Sequence, residues 1–211
     1  MRLIADEVAD YLETLIPPRH PELQKMEAHA REQHFPIIGP VVGHLCYQLA
    51  RTIAARQVFE MGSGFGYSTA FFARAVIENG GGLVHHVVWD DPLSQQARGH
   101  LAALGLDHVV NYHVGEAIAA LQAQSGPFDL IFNDIDKHAY PESLSVIEAK
   151  LRPGGLLIVD NMLWSGRIFD RQDRSRDTIG VREMTRLLTT SSRWTVSVIP
   201  IRDGVVVATR Q

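Results

Sequence analysis

Apolar residues recur in two different rhythms along the chain. Up to about residue 55 they stand three to four positions apart, which is the spacing of one face of a helix. From Gln57 onward, short apolar runs alternate with helical stretches and are separated by glycine or proline. The pattern predicts helices at 3–15, 22–33, 41–55, 68–77, 92–104, 117–124, 141–150 and 178–189, and strands at 58–61, 83–89, 109–113, 128–132, 156–159, 194–199 and 204–209.

The order of these elements predicts the fold class. Strands that alternate with helices through short connections form a parallel sheet with helices on both faces, because the crossovers are right-handed. The last two strands are joined by only a few residues around Pro200, so they can only pair as an antiparallel hairpin. We therefore expect an α/β protein with a doubly wound, Rossmann-like, mostly parallel seven-stranded sheet and an antiparallel C-terminal hairpin. Residues 1–211 are predicted to form a single domain, in which a helical segment (1–55) packs on the core (56–211).

Composition and charge narrow the kinds of partner. The chain is 45% hydrophobic and 21% charged, and no apolar run approaches the ~18–20 residues that a membrane span needs. A net charge of −4 predicts no basic face for nucleic acid. The one cysteine, Cys46, rules out a disulfide within the chain and a thiolate zinc site. Because the start also lacks the apolar core of a signal peptide, we expect a cytoplasmic protein. An acidic or neutral small molecule stays open as its partner, and composition alone does not decide whether the protein is an enzyme.

A glycine turn, Gly62-Ser63-Gly64-Phe65-Gly66, follows the first predicted parallel strand. Glycines let a ligand approach the backbone closely, and open α/β sheets bind ligands beyond the carboxyl ends of their strands. The third glycine follows the second after two residues rather than the three of a dinucleotide fingerprint. The turn therefore predicts a ligand site and argues against a dinucleotide.

Oxygen-bearing side chains follow two further strands of the predicted sheet. Asp134 comes shortly after strand 128–132, and Asp160 and Asn161 follow strand 156–159. Both strand ends lie on one rim of a parallel sheet, so these three side chains are expected to converge on one hard cation. Mg²⁺ takes oxygen ligands and needs only one or two protein carboxylates.

These residues belong to four motifs that resemble one family. The motifs are the run Glu60–Ser68, Asp134-x-Asp136-Lys137-x-x-Tyr140, Pro153-Gly154-Gly155 followed by Asp160-Asn161-x-Leu163-Trp164-x-Gly166, and Pro200-x-x-Asp203-Gly204. From about residue 22 onward the chain resembles class I S-adenosylmethionine (SAM)-dependent methyltransferases. More narrowly, it is similar to the cation-dependent O-methyltransferases of the catechol and caffeoyl-CoA type.

The resemblance implies a function and a set of site residues. It implies methyl transfer from SAM to a hydroxyl of a small, catechol-like aromatic, assisted by Mg²⁺ or another divalent cation, in a homodimer. It makes Lys137 the general base, places Trp164 on the wall of the acceptor pocket and brings His34 or Phe35 near that pocket. The implied metal ligands are Asp134, Asp160 and Asn161, and the implied cofactor residues are Glu60, Gly62, Ser63, Gly64, Gly66, Ser68, Gly115, Glu116, Ala117 and Asp134.

The chain departs from the family pattern at one position and leaves two alternatives open. Trp89 stands where the family has an acidic residue for the ribose hydroxyls, and an indole cannot accept hydrogen bonds from them. We expect Asp90 to take that role. The first alternative is a nicotinamide-dependent oxidoreductase on a Rossmann sheet. The second is a non-catalytic binding protein that retains the fold, and Trp89 is the observation that suggests it.

Overall fold

The computed structural model describes residues 4–211. Three helices open the chain, and alternating strands and helices follow. The helices are α1 (Asp6–Thr14), α2 (Pro21–Glu32), α3 (Gly39–Thr52), α4 (Tyr67–Glu78), α5 (Asp91–Ala103), α6 (Ala117–Ala123), α7 (Tyr140–Lys150) and α8 (Arg176–Thr190). The strands are β1 (Gln57–Met61), β2 (Leu83–Val88), β3 (Val110–Val114), β4 (Phe128–Asn133), β5 (Leu151–Val159), β6 (Trp194–Ile199) and β7 (Val205–Arg210).

All seven strands form one sheet in the order β3-β2-β1-β4-β5-β7-β6. The first five strands are parallel, and β7 pairs antiparallel with both β5 and β6. The strand order reverses direction between β1 and β4, and this is the point where open α/β sheets form a crevice for ligands. The predicted fold class, including the antiparallel hairpin, is confirmed.

The two faces of the sheet carry separate cores. Helices α2, α3 and α4 pack over one face, where Val58, Phe72 and Phe132 are buried. On the opposite face α6, α7 and α8 cover a second core that includes Phe59 and Leu157. Alternate residues of β1 therefore enter opposite cores, as strand geometry requires.

The helical opening differs along its length in how far it is buried. Among Asp6–Thr14, no residue of α1 is buried, whereas α3 contributes Val42, Cys46 and Ala50 to the first core. Cys46 is thus a core residue. No helix of the described chain, residues 4–211, is both long and apolar enough to cross a membrane.

One predicted turn is instead part of a strand. Pro153-Gly154-Gly155 lies within β5, whose Leu151 pairs with Phe128 and whose Leu156 pairs with Leu130. Four residues of β5 (152–155) therefore stand opposite one of β4 (Asp129), and the surplus forms a bulge in which Gly154 has a φ of +71°. The glycine-rich sequence was a correct sign of irregular backbone, but the strand continues through it.

Candidate active site

The glycine turn is fixed between β1, β2 and β4. Gly62 has a φ of +87°, and a Cβ there would overlap the carbonyl oxygen of Asp134. Ser63 bonds the turn to β2, because its N–H donates to the carbonyl of Val87 (2.9 Å) and its Oγ accepts from the N–H of Val87 (3.0 Å). Only glycine therefore fits at position 62. The turn presents its backbone, rather than a side chain, to the side where a ligand would bind.

A cleft of about 510 Å³ lies beside this turn at the carboxyl ends of the parallel strands. Its volume is in the range of small-molecule sites. The cleft brings together most of the residues that the sequence analysis singled out: Gly62, Ser63, Gly64, Ser68, Gly115, Ala117, Asp134, Lys137, Asp160, Asn161 and Trp164. Phe35 lines it as well, whereas His34 lines a neighbouring cavity.

Three predicted cofactor residues stand at helix starts, outside the cleft lining. Gly66 precedes α4 with a φ of +91°. Asp90 precedes α5, and its Oδ1 accepts from the N–H of Leu93 at 3.0 Å. The carboxylate of Glu116 accepts from two N–H groups of α6, at 2.8 and 2.6 Å. These caps stabilise helix starts at the edge of the cleft, so the carboxylate of Asp90 is already engaged by its own helix.

Trp89 presents a large exposed ring to the cleft. It follows β2 directly, lines the cleft and is 64% exposed. Val88 and Leu93 line the cleft beside it. The cleft is therefore apolar at the position where the resemblance leads us to expect an acidic residue.

Glu60 lies under the glycine turn in a buried network. The hydroxyl of Thr69 donates to Oε2 of Glu60 (2.5 Å), so its oxygen is left to accept from Nδ1 of His86 (3.0 Å). Oε1 of Glu60 and Nε2 of His86 are buried without a hydrogen-bond partner among the described residues. Burial raises the pKa of Glu60 to about 7 and lowers the pKa of His86 to about 3. Through Thr69, Glu60 of β1 is linked to α4 and to His86 of β2.

The acidic rim of the cleft consists of Asp134 and Asp160, with Lys137 beside them. Nζ of Lys137 lies 2.6 Å from Oδ1 of Asp134 and 3.2 Å from the carbonyl oxygen of Ile135. Asp160 is almost completely buried. Burial and the charge of Asp134 raise the pKa of Asp160 to about 7.

Asn161 is held by Asp203, a residue that the sequence analysis did not assign to the site. Nδ2 of Asn161 donates to one carboxylate oxygen of Asp203 at 3.3 Å, and the N–H of Ser165 donates to the other. Asn161 has a φ of +56°, so its loop depends on such outside support. The signal was present in the motif Pro200-x-x-Asp203-Gly204, which had been interpreted only as a hairpin turn.

Trp164 lines the cleft close to Lys137. Its ring centre is 5.9 Å from Nζ of Lys137, and the ring centre of Tyr140 is 5.2 Å from the same nitrogen. The buried indole N–H of Trp164 has no partner among residues 4–211. An unpaired buried donor at the edge of a cleft is available to a ligand.

The rim residues fit a divalent cation. No three His, Cys, Asp or Glu side chains of the described chain are placed to hold a metal together. The predicted donors are instead two carboxylates and an amide, and all three line the same cleft. Mg²⁺ accepts such a set because it keeps several waters. A cation would also relieve the repulsion by which Asp134 raises the pKa of Asp160.

A seven-stranded sheet of this order, with a glycine turn directly after β1, is the architecture of the Rossmann-like methyltransferases. The chain belongs to the O-methyltransferase family, since a model of that family matches residues 17–211. A catechol O-methyltransferase of Niastella koreensis is 30% identical over 155 residues, which cover 72% of this chain and 69% of that protein.

Solved structures agree with this family. The O-methyltransferase TomG of Streptomyces achromogenes, in complex with SAM, is 29% identical with a TM-score of 0.87, covering 97% of this chain and 96% of TomG. The O-methyltransferase of Bacillus cereus, in complex with SAH, supports the fold at 24% identity, with a TM-score of 0.88 and 97% of both chains covered. The chain is thus a SAM-dependent O-methyltransferase, and neither alternative from the sequence analysis is favoured.

Proposed function

We propose that this enzyme methylates a hydroxyl of a small aromatic that carries two adjacent hydroxyls, and that a divalent cation such as Mg²⁺ assists. The observation that carries the proposal is the convergence of Asp134, Asp160, Asn161 and Lys137 in the cleft of the glycine turn. The relative from Niastella koreensis, described as a catechol O-methyltransferase, supports the same acceptor class.

The residues of the chain have separate roles in this reaction. When bound, SAM supplies an electrophilic methyl group, and the cation lowers the pKa of an acceptor hydroxyl. The glycine turn holds the cofactor at the end of β1, and Phe35 and Trp164 confine the acceptor ring. Lys137 acts as the neutral amine: it receives the hydroxyl proton at Nζ, and the carboxylate of Asp134, 2.6 Å away, stabilises the ammonium that forms. Fixing both reactants in one cleft contributes up to about 7–11 kcal/mol of the barrier reduction.

The variants Asp134→Ala and Asp160→Ala test the proposal. Each removes one carboxylate from the rim, so we expect Mg²⁺-dependent methylation of catechol to fall at least about a hundredfold, the equivalent of about 3 kcal/mol. The measurement is methyl transfer from SAM at increasing Mg²⁺, with a chelator in a parallel series.

A matched control removes a carboxylate outside the cleft. Asp91 is exposed in the first turn of α5, and Asp91→Ala is expected to retain nearly full activity. Both rim variants retaining full activity in the presence of chelator would refute the cation assignment.

A further inference from the structure

A second cavity of about 630 Å³ lies next to the active-site cleft. Residues 35–37 line both spaces and so form the wall between them. Helices α1 and α2, the start of α3 and the hairpin turn at Ile201 and Arg202 enclose the rest. The volume is sufficient for part of a small molecule.

Positive charge is in excess around this cavity. Arg19, Arg31 and Arg202 line it, against Glu13 and Glu27. Glu27 already has two partners, both of which contact the same carboxylate oxygen. Its Oε1 lies 2.7 Å from Nε of Arg19 and accepts the hydroxyl of Tyr67 at 2.8 Å.

Two of the arginines remain available to a ligand. Within residues 4–211, Arg31 and Arg202 form no ion pair. The guanidinium of Arg202 lies on the backbone of Gly39, where any Cβ would overlap it. Gly39 has a φ of +70°, so the start of α3 is shaped to admit this side chain.

The second cavity adjoins the acceptor side of the cleft. Arg202 lines the cavity, and its charge also acts on Asp134 and Asp160 of the acidic rim. Phe35, which is part of the shared wall, packs on the ring of Phe65 in the glycine turn with centres 5.1 Å apart. A molecule bound at the rim therefore has the arginine-lined space beside it.

We propose that the second cavity binds a carboxylate at the end of the acceptor's side chain. The aromatic ring lies in the cleft, a short side chain passes residues 35–37, and the carboxylate pairs with Arg31 and Arg202. Ile37, Pro40 and Ile201 supply apolar surface for the side chain. The placement of the ring rests on the proposed function, whereas the recognition of the carboxylate rests on the arginines. Guanidinium groups suit this ligand because they bind carboxylates in two-point contacts.

The test uses 3,4-dihydroxycinnamate and its methyl ester, which share a ring and a side chain but differ by one charge. We expect the natural enzyme to show a KM for the acid about tenfold below that for the ester, the size of one charged hydrogen bond. Arg31→Gln should raise the KM for the acid about tenfold, with kcat and the KM for the ester unchanged.

Lys25→Gln is the matched control, since it removes one positive charge from the same helix. Lys25 is exposed and does not line the cavity. It should therefore leave the KM for both compounds unchanged. Equal KM values for acid and ester in the natural enzyme, or equal effects of Arg31→Gln and Lys25→Gln, would overturn the proposal.

Direct binding separates this proposal from the proposed function. If neither compound is methylated, calorimetry with enzyme saturated in S-adenosylhomocysteine and Mg²⁺ measures their affinities. Tighter binding of the acid that is lost in Arg31→Gln supports the cavity even though the reaction is wrong. Equal affinities for acid and ester, or no binding of either, refute it.

Discussion

Asp203 connects the C-terminal hairpin to the rim of the active site. Its two carboxylate oxygens accept from Asn161 and from the backbone of Ser165, in a loop where both of these residues have positive φ. Such φ values cost about 1–3 kcal/mol each and persist only where the surroundings hold them. The geometry of the amide of Asn161 therefore depends on a residue from a distant segment of the chain.

Replacing Asp203 should weaken cation binding at the proposed site while leaving cofactor binding unchanged. We expect Asp203→Ala to reduce Mg²⁺ affinity about 10–100-fold, because side chains that orient a ligand have effects of this size. The Mg²⁺ affinity is obtained from activity measured at increasing Mg²⁺. The affinity for SAM should stay unchanged. Asp203→Asn keeps one acceptor oxygen and should recover part of the loss, whereas an unchanged Mg²⁺ requirement in Asp203→Ala would contradict this role.

The buried pair of Glu60 and His86 has opposite effects on stability as the pH changes. His86 has its pKa lowered by burial from 6.5 to about 3, so between these values only the unfolded chain takes up the proton. Its contribution to stability is therefore lost as pH falls below about 6.5. Glu60 has its pKa raised from 4.5 to about 7, so the folded chain keeps a proton there and gains stability as pH falls through that range.

His86→Gln isolates one of these two contributions. From pH 7 to pH 5 the natural protein should lose up to about 2 kcal/mol more unfolding free energy than the variant, since 1.36 kcal/mol corresponds to one pKa unit. Urea unfolding at pH 7, 6 and 5 measures the difference. His108 is exposed, so His108→Gln should follow the natural protein. Identical pH slopes for the natural protein and His86→Gln would contradict the assignment.

At the scale of elements, α8 positions the turn that carries Lys137. Gly180 lies within α8, and a Cβ there would overlap the carbonyl of Lys137. The contact is with backbone, which cannot move aside as the end of a flexible side chain can. The close approach of helix and turn therefore needs glycine at this position.

Two Gly→Ala variants should change the free energy of unfolding in opposite directions. Gly180→Ala should destabilise the fold by about 1–3 kcal/mol, as overpacking does, and lower kcat by up to about a hundredfold because Lys137 is displaced. Gly99→Ala, inside α5 with open space around it, should stabilise by about 0.4–1 kcal/mol and leave kcat unchanged. Thermal unfolding and steady-state kinetics check both. An active, stable Gly180→Ala would refute the positioning role of α8.

The elements and the positions of the strand-end residues could be predicted because both follow from local rules. Asp134 and Asp160 could be placed on one rim from the strand pattern alone, since parallel strands end on the same side of a sheet. The contact of Asp203 with Asn161 joins segments 42 residues apart, and the wall at Phe35 depends on how α2 and α3 pack. Such contacts leave no periodic pattern in the sequence. The second cavity, which depends on the same kind of packing, could therefore not be predicted from the sequence either.

At the scale of the whole molecule, cofactor binding should raise stability by mass action. A SAM concentration about 100 times its Kd adds about 2.7 kcal/mol to the free energy of unfolding. For a chain of this size, that raises Tm by about 5–10 °C. The rise in Tm is measured by thermal unfolding with SAM, and with NADH as the control. An equal rise with NADH would support the alternative of a nicotinamide-dependent oxidoreductase. No shift with millimolar SAM would favour the binding protein that Trp89 suggested.

The strand order also governs how the protein is made. β7 follows β6 in sequence but lies between β5 and β6, so β6 has no partner in the sheet until β7 has been synthesised. Pairings between distant segments form slowly, and unpaired strand edges are prone to aggregate. Asp203 emerges with the same hairpin and then reaches Asn161. A growing chain therefore completes its sheet only once β7 has been made, and a product truncated before Asp203 lacks both the strand that joins β6 to the sheet and the carboxylate that holds Asn161.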